Sequence, residues 1–150
     1  MEIKEFKLVG IGLENKTTNE NGQSNIDCGS LWQKFETENL ALKIPGKLND
    51  EIFAVYYDYE GDHTKPFSYF IGCKVKMDVR VPENMKALII SGGNYENFMA
   101  KGIMPDCVTN TWKRIWNSDV KRNYKTDFEI YDERSKDWNN AIVEIFVSVQ

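Results

Sequence analysis

A chain of 150 residues has the length of one ordinary domain, and 41% apolar with 28% charged residues allows a normal buried core. The net charge of −4 argues against direct nucleic-acid binding; the one basic cluster, Lys113, Arg114, Lys121 and Arg122, is interrupted by Trp116 and Asp119 and reads as a solvated helix face. No apolar run has the length of a membrane span, and the opening MEIKEFKLVG lacks a charged-then-apolar leader, so no membrane association and a cytoplasmic location are expected.

From the N-terminus, IKEFKLVGIGL (3–13) is β-prone, with Gly10 and Gly12 marking a bend or a close backbone approach. The Asn-rich NKTTNENGQSNID reads as a loop, with Ser24 or Asp27 able to cap a helix beginning there. In DCGSLWQKFETENLAL, Leu31, Trp32, Phe35 and Leu42 recur at helical spacing, and the helix should fail before Pro45 and Gly46. IFAVYYDY (52–59) and FSYFIGCKVKM (67–77) are two strands joined by the turn EGDHTKPF, a hairpin. MKALIIS (85–91) is a further strand and GGNYENFMAKGI a loop with two glycine breaks. PDCVTNTWKRIWNSD is a helix with Pro105 at an early position and Val108, Trp112, Ile115 and Trp116 in one stripe. DFEIYDER and AIVEIFVSV close the chain as two strands around the turn SKDWNN.

The order strand, helix, strand, strand thus occurs twice. Trp32 and Trp112 hold similar places on the two helices, 80 residues apart, and Tyr57–Asp58 resembles Tyr131–Asp132, 74 residues apart. The expected architecture is α+β: duplicated halves (about 1–80 and 81–150) related by a pseudo-two-fold, a mainly antiparallel sheet, and a pocket between the halves.

The segments LWQKF, EIFAVYYDYEGD, IGCKV, Val81–Pro82, TWKRIW, DFEIYDER and VEIFVSV, in this order, resemble the GyrI-like, AraC-type effector-binding family, including its stand-alone integron-cassette members. That resemblance covers nearly the whole chain. It implies a single effector-binding domain over 1–150, with a pocket for lipophilic, often cationic molecules, linked to transcriptional regulation or drug sensing. At ISGGNYENF the chain departs from the family, which more often has a proline before the tyrosine, so the loop beside the pocket should differ.

Glu129 is the leading candidate for ligand binding. A strand period of two puts Phe128, Ile130 and Asp132 on one face and Glu129 with Tyr131 on the other. With helices covering the Phe128 face, Glu129 would point into the cleft, and the family's acidic ligand-binding position falls on this residue. A buried, unpaired carboxylate is costly when ionised, and an organic cation would supply the missing charge. The pseudo-symmetry sets Tyr57 and Phe53 against Tyr131 and the neighbourhood of Asp127, so they would line the opposite wall, with Trp112 and Phe146 as further rings. Trp32, Phe35 and Trp116 read as core packing.

Other chemistry finds little support. Gly92–Gly93 lacks the Lys and Ser/Thr of a phosphate loop, and Asp58, Glu60 and Asp62 lack the glycine and terminal glutamate of a calcium loop. Cys28, Cys73 and Cys107 make an odd count without CxxC spacing and read as reduced thiols. The single histidine, His63, falls in the turn GDHTKP, so neither a His-based metal site nor a Ser–His dyad is expected, and no cofactor is implied. Two alternatives remain open: a small-molecule hydrolase using Glu129 as base or nucleophile with Tyr131 or Trp112 positioning the substrate, and a module that binds a protein partner or a second copy of itself.

Overall fold

The computed structural model describes residues 1–150. Its elements are β1 (Glu2–Ile3), β2 (Phe6–Gly12), α1 (Gln23–Thr37), α2 (Leu40–Lys43), β3 (Ile52–Tyr57), β4 (Ser68–Val75), β5 (Lys86–Ile90), β6 (Gly93–Gly102), α3 (Asp106–Trp116), β7 (Arg122–Tyr131) and β8 (Ala141–Val149). The strands form one sheet in the order β1-β6-β8-β7-β3-β4-β2-β5, antiparallel at every junction.

Alternation along the strands gives this sheet two buried faces. On one, Phe6, Leu8, Phe53, Val55, Phe70, Ile90, Tyr95, Phe128 and Phe146 form a single cluster drawn from every strand between β2 and β8. The Phe6 and Phe128 rings meet at 5.6 Å although three strand spacings, about 14 Å on a flat sheet, separate β2 from β7. The sheet is therefore curled around this aromatic cluster. Gly10 and Gly72, paired across β2 and β4, face the same inner side; a Cβ on Gly10 would come within 1.9 Å of the Ile71 carbonyl oxygen. The close approach read from the sequence at Gly10 is real, and it lets the strands bend.

The helices lie on the outer face. Leu31 and Phe35 of α1 pack on Val9, Ile11, Ala54, Ile71 and Cys73. Val108, Trp112 and Ile115 of α3 pack on Ala100, Val143, Ile145 and Val147. The α+β duplication is visible in the strand order, since β2-β4-β3 and β6-β8-β7 mirror each other about the β3–β7 junction, with a helix after the first strand of each set.

Three expectations need correction. The segment Gly93–Gly102, read as a loop, is a ten-residue strand and is the true counterpart of β2. Only Tyr95 and Ala100 are buried along it, because its outer neighbour β1 is two residues long and leaves most of it near a sheet edge. The Lys86–Ile90 strand, read as opening the second half, instead crosses over to pair with β2, just as β1 crosses to pair with β6. Finally, the helices cover the Glu129 face and not the Phe128 face. No helix is long and apolar enough to cross a membrane.

The start of α1 also differs from the sequence reading. A short 3-10 turn, Glu20–Gly22, leads into it, and Gly22 takes the left-handed conformation (φ 70°) at the N-cap, so neither Ser24 nor Asp27 caps the helix. Asp27 instead accepts a hydrogen bond from the Thr17 hydroxyl at 2.6 Å.

Candidate functional site

Where α1 and α3 run over the β3–β7 junction, the outer face opens into a cavity of about 220 Å³. Each helix, with the N-cap of α3 included, contributes the same four positions at i, i+3, i+4 and i+7: Asn25, Cys28, Gly29 and Trp32 from the first half, Pro105, Val108, Thr109 and Trp112 from the second. The offset of 80 residues seen in the two tryptophans extends to all four of these helix positions. Trp116 adds one more turn of α3. Trp32 and Trp116 are thus wall residues as well as packing residues, whereas Phe35 is core.

Glu129 forms the floor, 1% exposed. Its Oε2 accepts from the Trp112 indole N–H at 2.6 Å and from the Tyr56 hydroxyl at 2.8 Å; its Oε1 accepts from the Tyr131 hydroxyl at 2.7 Å. All three donors are neutral, and Glu129 takes part in none of the protein's ion pairs. Burial holds its carboxyl above the ordinary carboxylate range, against the downward pull of the three hydrogen bonds. Burial first, then the Glu129 charge, likewise pushes the Tyr56, Tyr69 and Tyr131 hydroxyls well above their usual value. The same two causes, with Asp27 added, raise the Cys28 thiol.

A second buried group flanks the floor. Arg122 pairs with Asp127 at 2.6 Å, and a bulge between them, with Tyr124 at φ +54°, folds the start of β7 back so that Arg122 reaches the cavity wall. At the rim, His63 stacks on Trp116 at 5.1 Å with the planes 10° apart, and the Asn19 amide donates to the His63 carbonyl at 2.8 Å.

Of the residues singled out from the sequence, the structure brings together Glu129, Tyr131 and Trp112. Phe53 and Phe146 lie elsewhere, on the inner face, where both pack against Phe128 at 5.7 and 5.0 Å. Tyr57 also turns away, lining a separate shallow cleft with Leu88, Ile89 and Lys125. The reason is parity. In the register Ala54↔Glu129, even-numbered residues of β3 share the helix side with odd-numbered residues of β7, so Tyr56 and not Tyr57 faces Tyr131. Sequence reasoning missed Tyr56, Tyr59, Tyr69 and Arg122. Tyr56 was within reach of the strand period; Arg122 was not, because the bulge that places it has no clear sequence mark.

An aromatic groove between two pseudo-equivalent helices, closed below by an uncompensated carboxylate, is the arrangement of an effector-binding domain. The chain belongs to the Cass2 family of integron-associated effector binding proteins, whose family model matches residues 1–149. It is 31% identical to the integron cassette protein VCH_CASS2 from the mobile metagenome of Vibrio cholerae, covering 100% of this chain and 94% of that one, with a TM-score of 0.76. It is 26% identical over 155 residues to YobU of Bacillus subtilis (strain 168), provisionally named a transcriptional regulator, covering 100% of this chain and 94% of that protein. The structure of SAV2435 bound to tetraphenylphosphonium has the same fold, with a TM-score of 0.80 at 18% identity, over 100% of this chain and 92% of that one.

Proposed function

We propose that this protein is a receptor for lipophilic organic cations, held between α1 and α3 with the positive charge over Glu129, and that it serves effector sensing linked to transcriptional regulation. The observation that carries this reading is the Glu129 carboxylate: fully buried, fixed by three neutral donors, and without a countercharge beside a cavity. Hydrogen bonds orient such a group but do not neutralise it, and an isolated buried charge is expensive. A cation entering the cavity removes that cost, while Trp32, Trp112, Trp116 and Tyr56 offer ring faces, each contributing about 0.5 to 2 kcal/mol to a desolvated cation. One ion pair and a few rings reach roughly micromolar affinity, about −8 kcal/mol, with little demand on shape. SAV2435, with the same fold, binds a lipophilic cation, tetraphenylphosphonium, which supports the same ligand class here.

The test is a tryptophan-fluorescence titration of tetraphenylphosphonium against wild type and Glu129→Gln. The amide keeps an acceptor for Trp112 and Tyr56, while the Tyr131 hydroxyl turns to accept from the new NH2. Affinity should fall at least about tenfold, the share of one partly desolvated ion pair. Equal affinity in the two proteins would overturn the reading.

A further inference from the structure

The second buried charge of the pocket identifies another part of the ligand; this inference rests on the cation reading for the ligand's first part. Arg122 and Asp127 keep only 3% and 0% of their side-chain exposure, yet the two are unequally satisfied. Asp127 Oδ2 accepts from Arg122 Nη2 and from the Tyr59 hydroxyl, both at 2.6 Å. Its Oδ1 accepts from the Ser148 backbone N–H at 2.9 Å and the Ser148 hydroxyl at 3.2 Å. Four donors fill the carboxylate's four lone-pair positions. The guanidinium is the opposite case. Nη2 is engaged, while Nε and Nη1 have no acceptor at all.

The rings of Tyr124, Trp112 and Tyr59 stand 4.3, 5.7 and 5.9 Å from the guanidinium carbon. They stabilise its charge, yet Nε and Nη1 still find no acceptor among them. Tyr59, Trp112 and Arg122 all line the cavity, while Nε and Nη1 are themselves covered. An acceptor therefore meets them only once the Tyr59 ring edge swings aside, with Trp112 staying on Glu129. Because Asp127 already balances the arginine's charge, the open donors call for a lone pair and not for a second negative charge.

We propose that Arg122 forms an acceptor subsite, and that the ligand is a lipophilic cation carrying a neutral carbonyl-type oxygen, such as an amide, ketone or ester. Glu129 holds the cation and Arg122 the oxygen. Trp112 stands between them, its indole N–H on Glu129 and its ring beside the guanidinium.

Three phosphonium probes differing only at the chain end test this: butyltriphenylphosphonium, its terminal-amide analogue and its terminal-carboxylate analogue. Each is titrated against wild type and Arg122→Lys. The lysine keeps a cation for Asp127 but lacks the fork of Nε and Nη1 donors, and its folding is checked by thermal unfolding. The amide should bind wild type about tenfold tighter than the alkyl probe, the contribution of a hydrogen bond from a charged donor, and tighter than the carboxylate. In Arg122→Lys that preference should fall to about onefold. A preference that survives the substitution, or a carboxylate that binds wild type best, overturns the proposal.

A fourth probe, the uncharged amide 5,5,5-triphenylpentanamide, separates this result from the fate of the cation reading. Its saturable binding to Glu129→Gln, lost when Arg122→Lys is added, supports the subsite even where Glu129 makes no cation contact. No binding of this probe together with no amide preference overturns it.

Discussion

At the scale of single residues, the site is a competition for one carboxylate. Burial pushes Glu129 toward the neutral form, and the hydrogen bonds from Trp112, Tyr131 and Tyr56 push it back. Burial wins, so the folded-state pKa lies above the ordinary one. A cation binds the ionised form. Its affinity should therefore decline on acidification, starting above the usual carboxylate range, while Glu129→Gln shows a flat profile; isothermal titration across pH would detect this. The sign for stability is the reverse of the common acidic case. The folded protein holds this proton more tightly than the unfolded chain, so Glu129 contributes fully below its unfolded pKa and loses that contribution as pH rises through the raised value. Removing a donor sharpens the effect. Tyr56→Phe deletes one of the hydrogen bonds that favour the ionised form, so the pH at which cation binding halves should climb further. An unmoved midpoint would show that Tyr56 does not stabilise the charge.

At the scale of elements, the pocket is set by what α1 leaves out. Gly29 sits inside that helix, where glycine costs about 0.5 to 1 kcal/mol relative to alanine, and a Cβ built there meets nothing within 4 Å. Gly29 lines the cavity without adding a side chain to it, at the expense of helix stability. Gly29→Ala should raise the unfolding free energy by about that amount, visible as a few degrees in melting temperature. Gly29→Leu should fill the groove and weaken tetraphenylphosphonium binding at least about tenfold while leaving the protein folded. A lower melting temperature for the alanine variant would contradict this account of the helix.

The strands carry the other lesson. An offset of 74 residues aligned Tyr57 with Tyr131, and the similarity of the two Tyr–Asp pairs invited it. A two-fold axis normal to the sheet returns each face to itself, and the β3–β7 register requires equivalents to differ by an odd number. An even offset therefore exchanges inside for outside. That single-residue slip carried Tyr57 and Phe53 to the wrong wall. Phe146 failed for a related reason, since its partner across β7–β8 is Phe128, a residue of the inner face.

For the molecule as a whole, the two halves are interlocked. β5 closes the edge of β2 and β1 closes part of β6, while β3 and β7 join at the centre. A fragment comprising residues 1–80 would leave both β2 and β3 without their outer neighbours and half the inner cluster exposed. It should show no cooperative unfolding transition by circular dichroism, and a sharp one would mean that the halves fold independently. The cluster itself is the common core. Phe128 meets Phe6, Phe53, Tyr95 and Phe146 with centroids 5.0 to 5.7 Å apart. Phe128→Ala should cost about 3 to 5 kcal/mol in denaturant unfolding, a large share of the stability of a domain this size.

Read alone, the sequence determined the α+β class, a doubled strand–helix–strand–strand order (with the wrong strand opening the second half), the family, and three residues that line the cavity, Glu129, Tyr131 and Trp112. The class and element order follow from periodicity, apolar residues at helical spacing in α3 and alternation in β7, whereas the family and the role given to Glu129 follow from the resemblance of the ordered segments. Tertiary structure alone decided which sheet face the helices cover, that the polar stretch Gly93–Gly102 is a strand, and that β1 and β5 change sides. It also decided that Tyr56 and Arg122 complete the pocket. The physical reason is that strand periodicity sorts residues into two sets without saying which is inside. Only pairing register and sheet curl, both made by contacts between residues far apart in the chain, assign the sets to faces.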